Sequence, residues 1–499
     1  MKLFPIRGGI HPEYRKDRTS EKPIEKFPLP AKLYIPLQQH IGAPAEVVVK
    51  EGDLVKKGQL LARGQGAVSA PQHAPTSGRI AAITEIMAPH PSGLPQPTIV
   101  LEADGKDEWT GDLPAPIADP LAATPDEIRA RVAWAGIVGM GGAAFPTPVK
   151  LNLGTQVKIH TLLLNGAECE PYLTCDDRVM REYAAEVVDG ARIMAHTLGA
   201  SRIVIAIEDN KPEAKRIMTE AAGSIAGIEV IGVPVQYPMG SERHLTQAIT
   251  GLETPARKLT ADLGVVVQNV ATARAVHHAV RFGRPLISRV VTVSGGSLPD
   301  PKNLEVPIGT KVSDLIAYCG GIKTEAKRFV NGGPMMGQPL PSLEAPVVKG
   351  MSGILALTAA EVNERPTSPC IRCGTCVTIC PCGLIPVEMA AVIRKDHLDQ
   401  AAHLGVMDCV SCGSCSYICP SHIPLVHYFN YAKGMLNAQD REKRRLDRVK
   451  HLAEARNARL EAAAAAKKAA AAAAAAAKAK AAAEAASASA PTADNRPGA

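Results

Sequence analysis

Two runs of cysteine constrain this chain more than any other feature of its sequence. Of the 12 cysteines, eight fall into two copies of C-x2-C-x2-C-x3-C-P, and each cysteine of the second copy lies 39 residues after its counterpart. Three closely spaced thiolates hold three corners of a 4Fe-4S cluster, whereas the fourth cysteine of such a run ligates the other cluster. The spacing therefore predicts two crossed ligand sets: Cys370, Cys373, Cys376 with Cys419, and Cys409, Cys412, Cys415 with Cys380.

A pair of zinc knots or a disulfide framework is the alternative interpretation of these cysteines. Zinc sites usually divide their ligands into two separated pairs, whereas each run here holds more cysteines than one tetrahedral ion takes from one loop. Cys382 has no counterpart in the second run, where Ser421 follows Pro420, so we interpret it as a thiol beside a cluster and not as a ligand. Bunched cysteines with few left over also fit a reducing cytoplasm.

Length and charge limit what the rest of the chain can do. The 499 residues are enough for three or four domains, and a 3% aromatic content requires aliphatic residues and alanine to fill their cores. Residues 441–499 hold 13 Lys and Arg against 6 Asp and Glu, which accounts for the whole formal charge of +7. The electroneutral remainder argues against a nucleic-acid-binding body. Neither a signal peptide nor an uncharged apolar run long enough to span a membrane is expected.

Short β-rich runs punctuated by Gly and Pro fill residues 28–103 and indicate a small sandwich or barrel. The segments 49–62 and 75–80 resemble the two ends of the hairpin in biotinyl and lipoyl carrier domains. In those carriers a lysine at the hairpin tip bears the prosthetic group, but residues 64–74 contain no lysine. We therefore predict a docking or structural unit.

The next segment predicts a helix that leads into a glycine loop. Thr124 is a candidate N-cap, Pro125 suits the first helical position, and Glu127 has the capping-box spacing. Glycines at 136, 139, 141 and 142 leave backbone N–H groups open to a phosphate or a flavin ring, although a tight turn would give the same pattern. Alternating strand and helix patterns over 161–208 then indicate a parallel α/β sheet with ligand at the carboxyl ends of its strands.

At this point the chain resembles the RnfC component of the Rnf ion-translocating electron-transport complex, and its central part is similar to the NADH- and flavin-binding component of respiratory complex I. The relatives' RGRGGAGFPTGLKW corresponds to VGMGGAAFPTPVKL, and their NGDESEPGTCKDR to NGAECEPYLTCDDR. Their Gly-Glu-Glu turn corresponds to Gly240, Ser241 and Glu242, and VNNVET to VQNVAT at 267–272. The relatives' loop arginine is Val138 here and their aspartate is Ala167, so one charged flavin contact and one acidic contact are missing.

The resemblance implies site residues, cofactors and partners. It implies NADH stacked near the catalytic pair Phe145 and Glu170, with Lys150 as partner of the flavin phosphate. The implied FMN bed is made of Gly139, Gly141, Gly142, Lys150, Asn165, Glu168, Gly240, Glu242, Gln268 and Asn269. Electrons would pass from NADH to FMN, then to the two clusters, and on to the other Rnf subunits and a ferredoxin while the complex moves Na⁺ or H⁺. The protein would lie peripherally on the cytoplasmic face of the bacterial inner membrane.

We therefore predict a multidomain α+β chain with five parts. They are a barrel-sandwich hybrid domain (1–115), an α/β FMN- and NADH-binding domain (116–287), a β-grasp domain (288–345), a helical two-cluster ferredoxin domain (346–440) and a basic, Ala-rich helical tail (441–499). A strand at 351–358 and a helix between the cysteine runs are also expected. The alternative functions are a soluble diaphorase module and a flavin-free iron–sulfur scaffold. The tail is interpreted as a solvated helix, with a tether to an anionic membrane as the alternative.

Overall fold

The computed structural model describes residues 3–362 and 364–488. The described residues up to Phe429 form one compact unit, and those from Asn430 onward form a second. The helix prediction for the last part of the tail, 489–499, lies outside the described residues. Within the described ranges no helix is both long enough and apolar enough to cross a membrane.

Residues 3–22 form an extended segment that we call the N-terminal strap. Ile10 pairs with Tyr237 through two backbone hydrogen bonds of 2.8 and 2.9 Å, and Gly9 N donates to Ile379 O at 2.9 Å. The following strand β1 (Ile24–Lys26) pairs in parallel with residues 303–305. The strap therefore contacts the α/β domain and the region of the first cysteine run. Its backbone pairs with residues more than 200 positions away, which no local pattern specifies.

The barrel-sandwich hybrid is confirmed as two small sheets, ordered β2-β8-β7-β4 and β3-β5-β6. Their strands are β2 (Lys32–Pro36), β3 (Glu46–Val47), β4 (Leu54–Val55), β5 (Leu60–Arg63), β6 (Gln72–His73), β7 (Gly78–Met87) and β8 (Pro95–Ala103). The lysine-free segment 64–74 docks on the α/β domain through its second half: Ala70 belongs to the core of that domain, and the His73 ring packs on Trp134 with 4.9 Å between centroids. The segment is therefore a docking element, as its sequence predicts.

The α/β domain is built on a parallel sheet of order β11-β10-β9-β12. Thr124 caps the first helix by accepting a hydrogen bond from Glu127 N, as predicted. Leu162 and Leu164 of β9 pack into one core layer and Leu163 into the other, so helices cover both faces. The elements are α1 (Pro125–Trp134), α2 (Thr147–Leu151), β9 (Thr161–Gly166), α3 (Cys175–Glu182), α4 (Ala184–Leu198), β10 (Arg202–Glu208), α5 (Pro212–Ala222), β11 (Ile228–Val233), α6 (Glu242–Thr250), β12 (Val265–Asn269) and α7 (Val270–Phe282).

The β-grasp sheet has the order β1-β14-β13-β17-β15-β16. Its own elements are β13 (Ser288–Ser294), β14 (Lys302–Pro307), α8 (Val312–Tyr318), β15 (Arg328–Asn331), β16 (Gln338–Pro339) and β17 (Gly353–Leu357). The strand expected at 351–358 is β17, and it lies between β13 and β15. The sheet therefore extends past the predicted boundary at 345, because its inner strand follows a connection that sequence alone assigns to a linker.

The cysteine runs lie among short helices. These are α9 (Thr375–Thr378), α10 (Pro386–Ile393), α11 (Leu398–His403) and α12 (Ser414–Tyr417), so the stretch between the runs is helical as predicted. The last helix, α13 (Leu425–Ala488), contains the described part of the tail. Its side chains Leu446, Val449, Leu452 and Leu460 are each more than half exposed.

Candidate functional site

The predicted flavin contacts meet where the order of the parallel sheet reverses. Asn165 lies at the end of β9 and pairs in register with Asn269, which ends β12, while Gln268 pairs with Leu164. The chain leaves β9 toward β10 on one side and reaches β12 on the other, which creates a crevice outside the carboxyl ends of these strands. Residues about 100 positions apart are thereby placed side by side.

Asn165 ties two of the predicted motifs together. Its Nδ2 donates to Gly240 O at 2.8 Å, and its Oδ1 accepts from Ala167 N at 3.0 Å. Gly240 must be glycine here, because a Cβ would lie 2.4 Å from Ala167 O and 2.9 Å from Cys169 Sγ. The Gly-Ser-Glu turn therefore lies directly against the loop that follows β9.

The glycine loop between α1 and α2 closes on itself and on α7. Gly139 N donates to Phe145 O at 2.8 Å, and Met140 N donates to Thr272 Oγ1 at 2.9 Å. A Cβ on Gly141 would be 3.5 Å from the Asn269 side chain, whereas nothing lies within 4 Å of one on Gly142. The loop thus presents bare backbone next to Asn269 and open space beyond it, and half-buried Phe145 follows.

Asn269 both caps α7 and binds an acid. Its Oδ1 accepts from Ala271 N at 2.9 Å and Thr272 N at 3.3 Å, and its Nδ2 donates to Asp176 Oδ2 at 2.7 Å. Burial, reinforced by the negative charge of Glu168, raises the pKa of Asp176 to about 7. The start of α7 is therefore fixed in place beside the glycine loop.

Two buried polar atoms beside this crevice lack hydrogen-bond partners among the described residues. They are Gln268 Nε2, one residue before the end of β12, and Thr147 Oγ1, at the start of α2 in the predicted FPT motif. Leaving such a group unpaired inside a protein costs about 1–3 kcal/mol. A bound group that offers carbonyl or phosphate oxygens would satisfy both, so the donors present fit an oxygen-rich ligand such as FMN.

Lys150 and Glu242 form an ion pair beside β12. Lys150 Nζ lies 2.9 Å from Glu242 Oε2 and donates to Val267 O at 3.1 Å, while Glu242 Oε1 accepts from Thr260 Oγ1 at 2.6 Å. The structure thus brings these two predicted residues together. It gives Lys150 a carboxylate partner where the resemblance implies a phosphate.

Glu168 and Glu170 point in different directions from the loop after β9. Buried Glu168 accepts from Asp176 N at 2.9 Å and Asp177 N at 3.3 Å, at the start of α3. Glu170 accepts from Met335 N at 3.0 Å and Met336 N at 2.9 Å in the β-grasp domain, and burial raises its pKa to about 6. Both carboxylates are therefore engaged by backbone N–H groups, and Glu170 links two domains.

The eight predicted ligands line two cavities, and each cavity draws on both cysteine runs. One is lined by Cys370, Cys373, Cys376 and Cys419, and the other by Cys380, Cys409, Cys412 and Cys415. Cys382 lines the second cavity as well. No group of three or more Cys, His, Asp or Glu side chains in residues 3–362 and 364–488 converges on a single ion-sized point. The donor set of each cavity is the one that a 4Fe-4S cluster needs.

The two cysteine loops follow the same backbone path. Arg372 and Ser411 have φ of 57° and 56°, and Gly374 and Gly413 have φ of 77° and 80°. Arg372 N approaches Cys370 Sγ at 3.4 Å, and Ser411 N approaches Cys409 Sγ at 3.3 Å. The repeat seen in the spacing is thus also a repeat in conformation.

Two residues of this region were not singled out from the sequence. Tyr237 is fully buried, and its hydroxyl donates to Cys412 O at 2.7 Å. Lys16 of the N-terminal strap donates to three carbonyl oxygens in the loop after β9. Nothing local marks either residue, since their partners lie 175 and more than 150 positions away.

Four family models match consecutive parts of the chain. They are the RnfC barrel sandwich hybrid domain at 4–106, the Nuo51 FMN-binding domain at 132–278, the SLBB domain at 290–339 and the 4Fe-4S dicluster domain at 369–423. The chain therefore has an FMN-binding domain and a domain for two 4Fe-4S clusters, in the order that its sequence predicts.

Curated relatives match nearly the whole chain. The C subunit of the ion-translocating oxidoreductase complex of Rhodobacter capsulatus is 58% identical over 89% of this chain and 85% of its own length. The C subunit of the proton-translocating ferredoxin:NAD(+) oxidoreductase complex of Clostridium ljungdahlii is 46% identical over 88% of this chain and 96% of its own length. Among solved structures, an NAD+-reducing NiFe hydrogenase in the H2-reduced state has a TM-score of 0.45 and 18% identity over 64% of this chain and 62% of that chain. The protein accordingly belongs to the RnfC family, the C subunits of ion-translocating oxidoreductase (Rnf) complexes.

Proposed function

We propose that this protein oxidises NADH and delivers the electrons singly to partner subunits of a membrane complex that translocates ions. FMN supplies the conversion from two-electron to one-electron transfer, and 4Fe-4S clusters carry single electrons. The name of the Clostridium relative includes ferredoxin and NAD(+), which supports these two compounds as the redox partners here. We place the protein peripherally on the cytoplasmic face of the membrane.

The FMN bed is assigned to the crevice outside β9 and β12. Gln268 Nε2 and Thr147 Oγ1 are its unpaired donors, and the glycine loop supplies backbone N–H groups. Lys150, which is paired with Glu242 at 2.9 Å, would hold the phosphate of FMN. The remaining contacts are assigned to Gly139, Gly141, Gly142, Asn165, Glu168, Gly240 and Asn269.

Phe145 and Glu170 are retained as the residues beside the nicotinamide. Phe145 is half-buried at the end of the glycine loop. The Glu170 carboxylate accepts two backbone N–H bonds, so we expect it to orient the loop around the substrate. Its raised pKa brings its protonation closer to neutral pH than that of an ordinary glutamate.

The contact between Tyr237 and Cys412 carries this proposal. Tyr237 precedes Gly240 of the flavin bed by three residues, and its hydroxyl donates to the backbone of a predicted cluster ligand at 2.7 Å. Cys169, Tyr237 and Cys412 also share one buried apolar cluster with Ile10. The cavity of Cys380, Cys409, Cys412 and Cys415 is thereby packed against the flavin-binding domain.

The other cavity suits a partner that accepts electrons. It opens to solvent with a volume of about 550 Å³, and Cys370 and Cys373 are exposed, whereas Cys380, Cys412 and Cys415 are buried. We therefore assign the buried set to the flavin side and the exposed set to the docking side. A soluble ferredoxin or another member of the complex would approach there.

Anaerobic purification of the intact chain tests this function. We expect about one FMN per chain by acid extraction and bleaching of the cluster absorbance on addition of NADH. Purification from membranes together with the other Rnf subunits is expected as well, whereas NADH-driven cluster reduction in a chain that never associates with them would favour the diaphorase alternative. Clusters present without flavin, and unaffected by NADH, would establish the flavin-free scaffold and refute the proposal.

A further inference from the structure

Residues 166–174, which follow β9, are called the flavin loop. One cation of the N-terminal strap, Lys16, binds this loop. Half-buried Lys16 places Nζ 2.8 Å from Glu168 O and 2.9 Å from Glu170 O, and also donates to Leu173 O. An ammonium group has three N–H donors, so these bonds use all of them. Burial, together with the nearby charge of Lys211, lowers the pKa of Lys16.

A carboxylate of the flavin loop itself ties the loop to the helix that follows it. The Glu168 carboxylate accepts from Asp176 N and Asp177 N, at the start of α3. The ammonium of Lys16 thus binds the carbonyl groups of the loop, while the carboxylate binds the N–H groups that follow it. These bonds hold the backbone of the flavin loop, which follows Asn165 and contains Glu168, two of the assigned flavin contacts.

The strap is anchored on both sides of Lys16. Ile10 pairs with Tyr237 before it, and Tyr14 O accepts from Tyr172 N at 2.8 Å. After it, Arg18 donates to two carbonyl oxygens of the β-grasp domain, each at 2.8 Å. The strap is therefore bound to two domains on either side of Lys16.

Lys16 brings a positive charge to a site that lacks the relatives' loop arginine. The position of the relatives' loop arginine holds Val138, which is fully buried. Lys150 is paired with Glu242 at 2.9 Å. Lys16 is hydrogen-bonded to backbone oxygens, and the charges of Glu168 and Glu208 also act on it. Arg289 likewise donates to Met140 O of the glycine loop at 3.3 Å, so the positive charge of Lys16 adds to that of Arg289.

We propose that Lys16 is the positioning residue of the flavin loop: it fixes the path of the loop and supplies a positive charge that favours reduced over oxidised FMN. The inference rests on the proposed function, since it needs FMN in the crevice outside β9 and β12. It adds to the site a residue that lies about 150 positions before the motif it supports.

The test compares K16M, K16R and K22M in the full-length, cluster-loaded chain. Methionine keeps the length of the side chain and removes the charge. Arginine keeps the charge, but its planar fork cannot direct three donors to one set of converging carbonyls. Lys22 lies on the same strap and binds Asp300 and Pro301 O instead, so K22M is the matched control. The measurements are the dissociation constant of FMN, its midpoint potential and the iron content.

In K16M we expect FMN to bind at least tenfold more weakly, with unchanged iron content. We also expect a further tenfold loss of affinity for reduced relative to oxidised FMN, which lowers the two-electron midpoint potential by about 30 mV. K16R should bind FMN more weakly yet keep the wild-type potential, and K22M should match the wild type in both.

Three outcomes would overturn the inference. The first is wild-type affinity and potential in K16M, and the second is equal weakening in K16M and K16R with no change in potential. The third is a wild-type chain that binds no FMN, which would remove the proposed function along with the role of Lys16. If K16M does not fold, K16R decides: weaker binding at the wild-type potential supports the inference, and wild-type affinity refutes it.

Discussion

Replacing Cys380 by alanine tests whether the two cysteine runs exchange their fourth ligands. Cys380 closes the first run in sequence, but its side chain lines the cavity of Cys409, Cys412 and Cys415. The variant should therefore lose the cluster of the second run and keep that of the first. Of about eight iron atoms in a chain with two 4Fe-4S clusters, we expect about four to remain.

Iron counting on Cys380→Ala alone cannot tell which cluster is lost, so pairs of substitutions are decisive. If the ligands are crossed, Cys380 and Cys409 serve the same cluster, and their double alanine variant should keep about four irons. Cys380 and Cys370 then serve different clusters, and their double variant should lose nearly all iron. Uncrossed ligation predicts the reverse result for both pairs.

The assay is iron and sulfide analysis of anaerobically prepared protein, with electron paramagnetic resonance of the reduced state. Cys382→Ala is the matched control, because Cys382 lines the same cavity and is separated from Cys380 by one residue. It should keep both clusters. Retention of about four irons by the Cys370 and Cys380 double variant, with loss of all iron from the Cys380 and Cys409 pair, would refute the crossed assignment.

Three further predictions concern the flavin bed, Glu170 and the tail. In Gly141→Val the added methyl groups press on Asn269, which lies 3.5 Å from a Cβ at this position, so bound FMN should be lost with iron content intact. Gly141→Ala is the milder control, and full NADH oxidation by the valine variant would contradict the prediction. Folding raises the pKa of Glu170 from an ordinary 4.5 to about 6. The protonated carboxyl therefore stabilises the folded protein fully below pH 4.5, and this stabilisation is lost as the pH rises through 6. Relative to Glu170→Gln, the wild type should lose about 2 kcal/mol of unfolding free energy between these limits, measured by urea unfolding, and identical pH profiles would exclude the raised pKa. Truncation after residue 440 should leave the clusters and the NADH-to-dye activity unchanged, and precipitation of the truncated protein would contradict this. If the full chain binds anionic vesicles in a salt-sensitive way and the truncated chain does not, the tail is a tether, since salt screens charge attraction over about 8–10 Å.

Much of the fold could be predicted because it depends on residues close together in the chain. The cap of α1 needs only Thr124 and a backbone N–H three residues on, and the parallel sheet follows from strand and helix patterns of ordinary length. The cysteine spacing likewise determines the path of each loop, since equivalent residues of both copies have the same left-handed backbone conformation. The flavin motifs are likewise short contiguous segments, so a resemblance to a known family could be stated on them.

Only the tertiary structure decided how these segments meet. The exposed or buried character of each cysteine set depends on which one packs on Tyr237, and nothing near Cys412 in sequence specifies that contact. Lys16 looks like an ordinary charged residue until the strap crosses the flavin loop. Such contacts join residues more than 150 positions apart, and they form only when whole domains dock, so the local sequence holds no period or motif that records them.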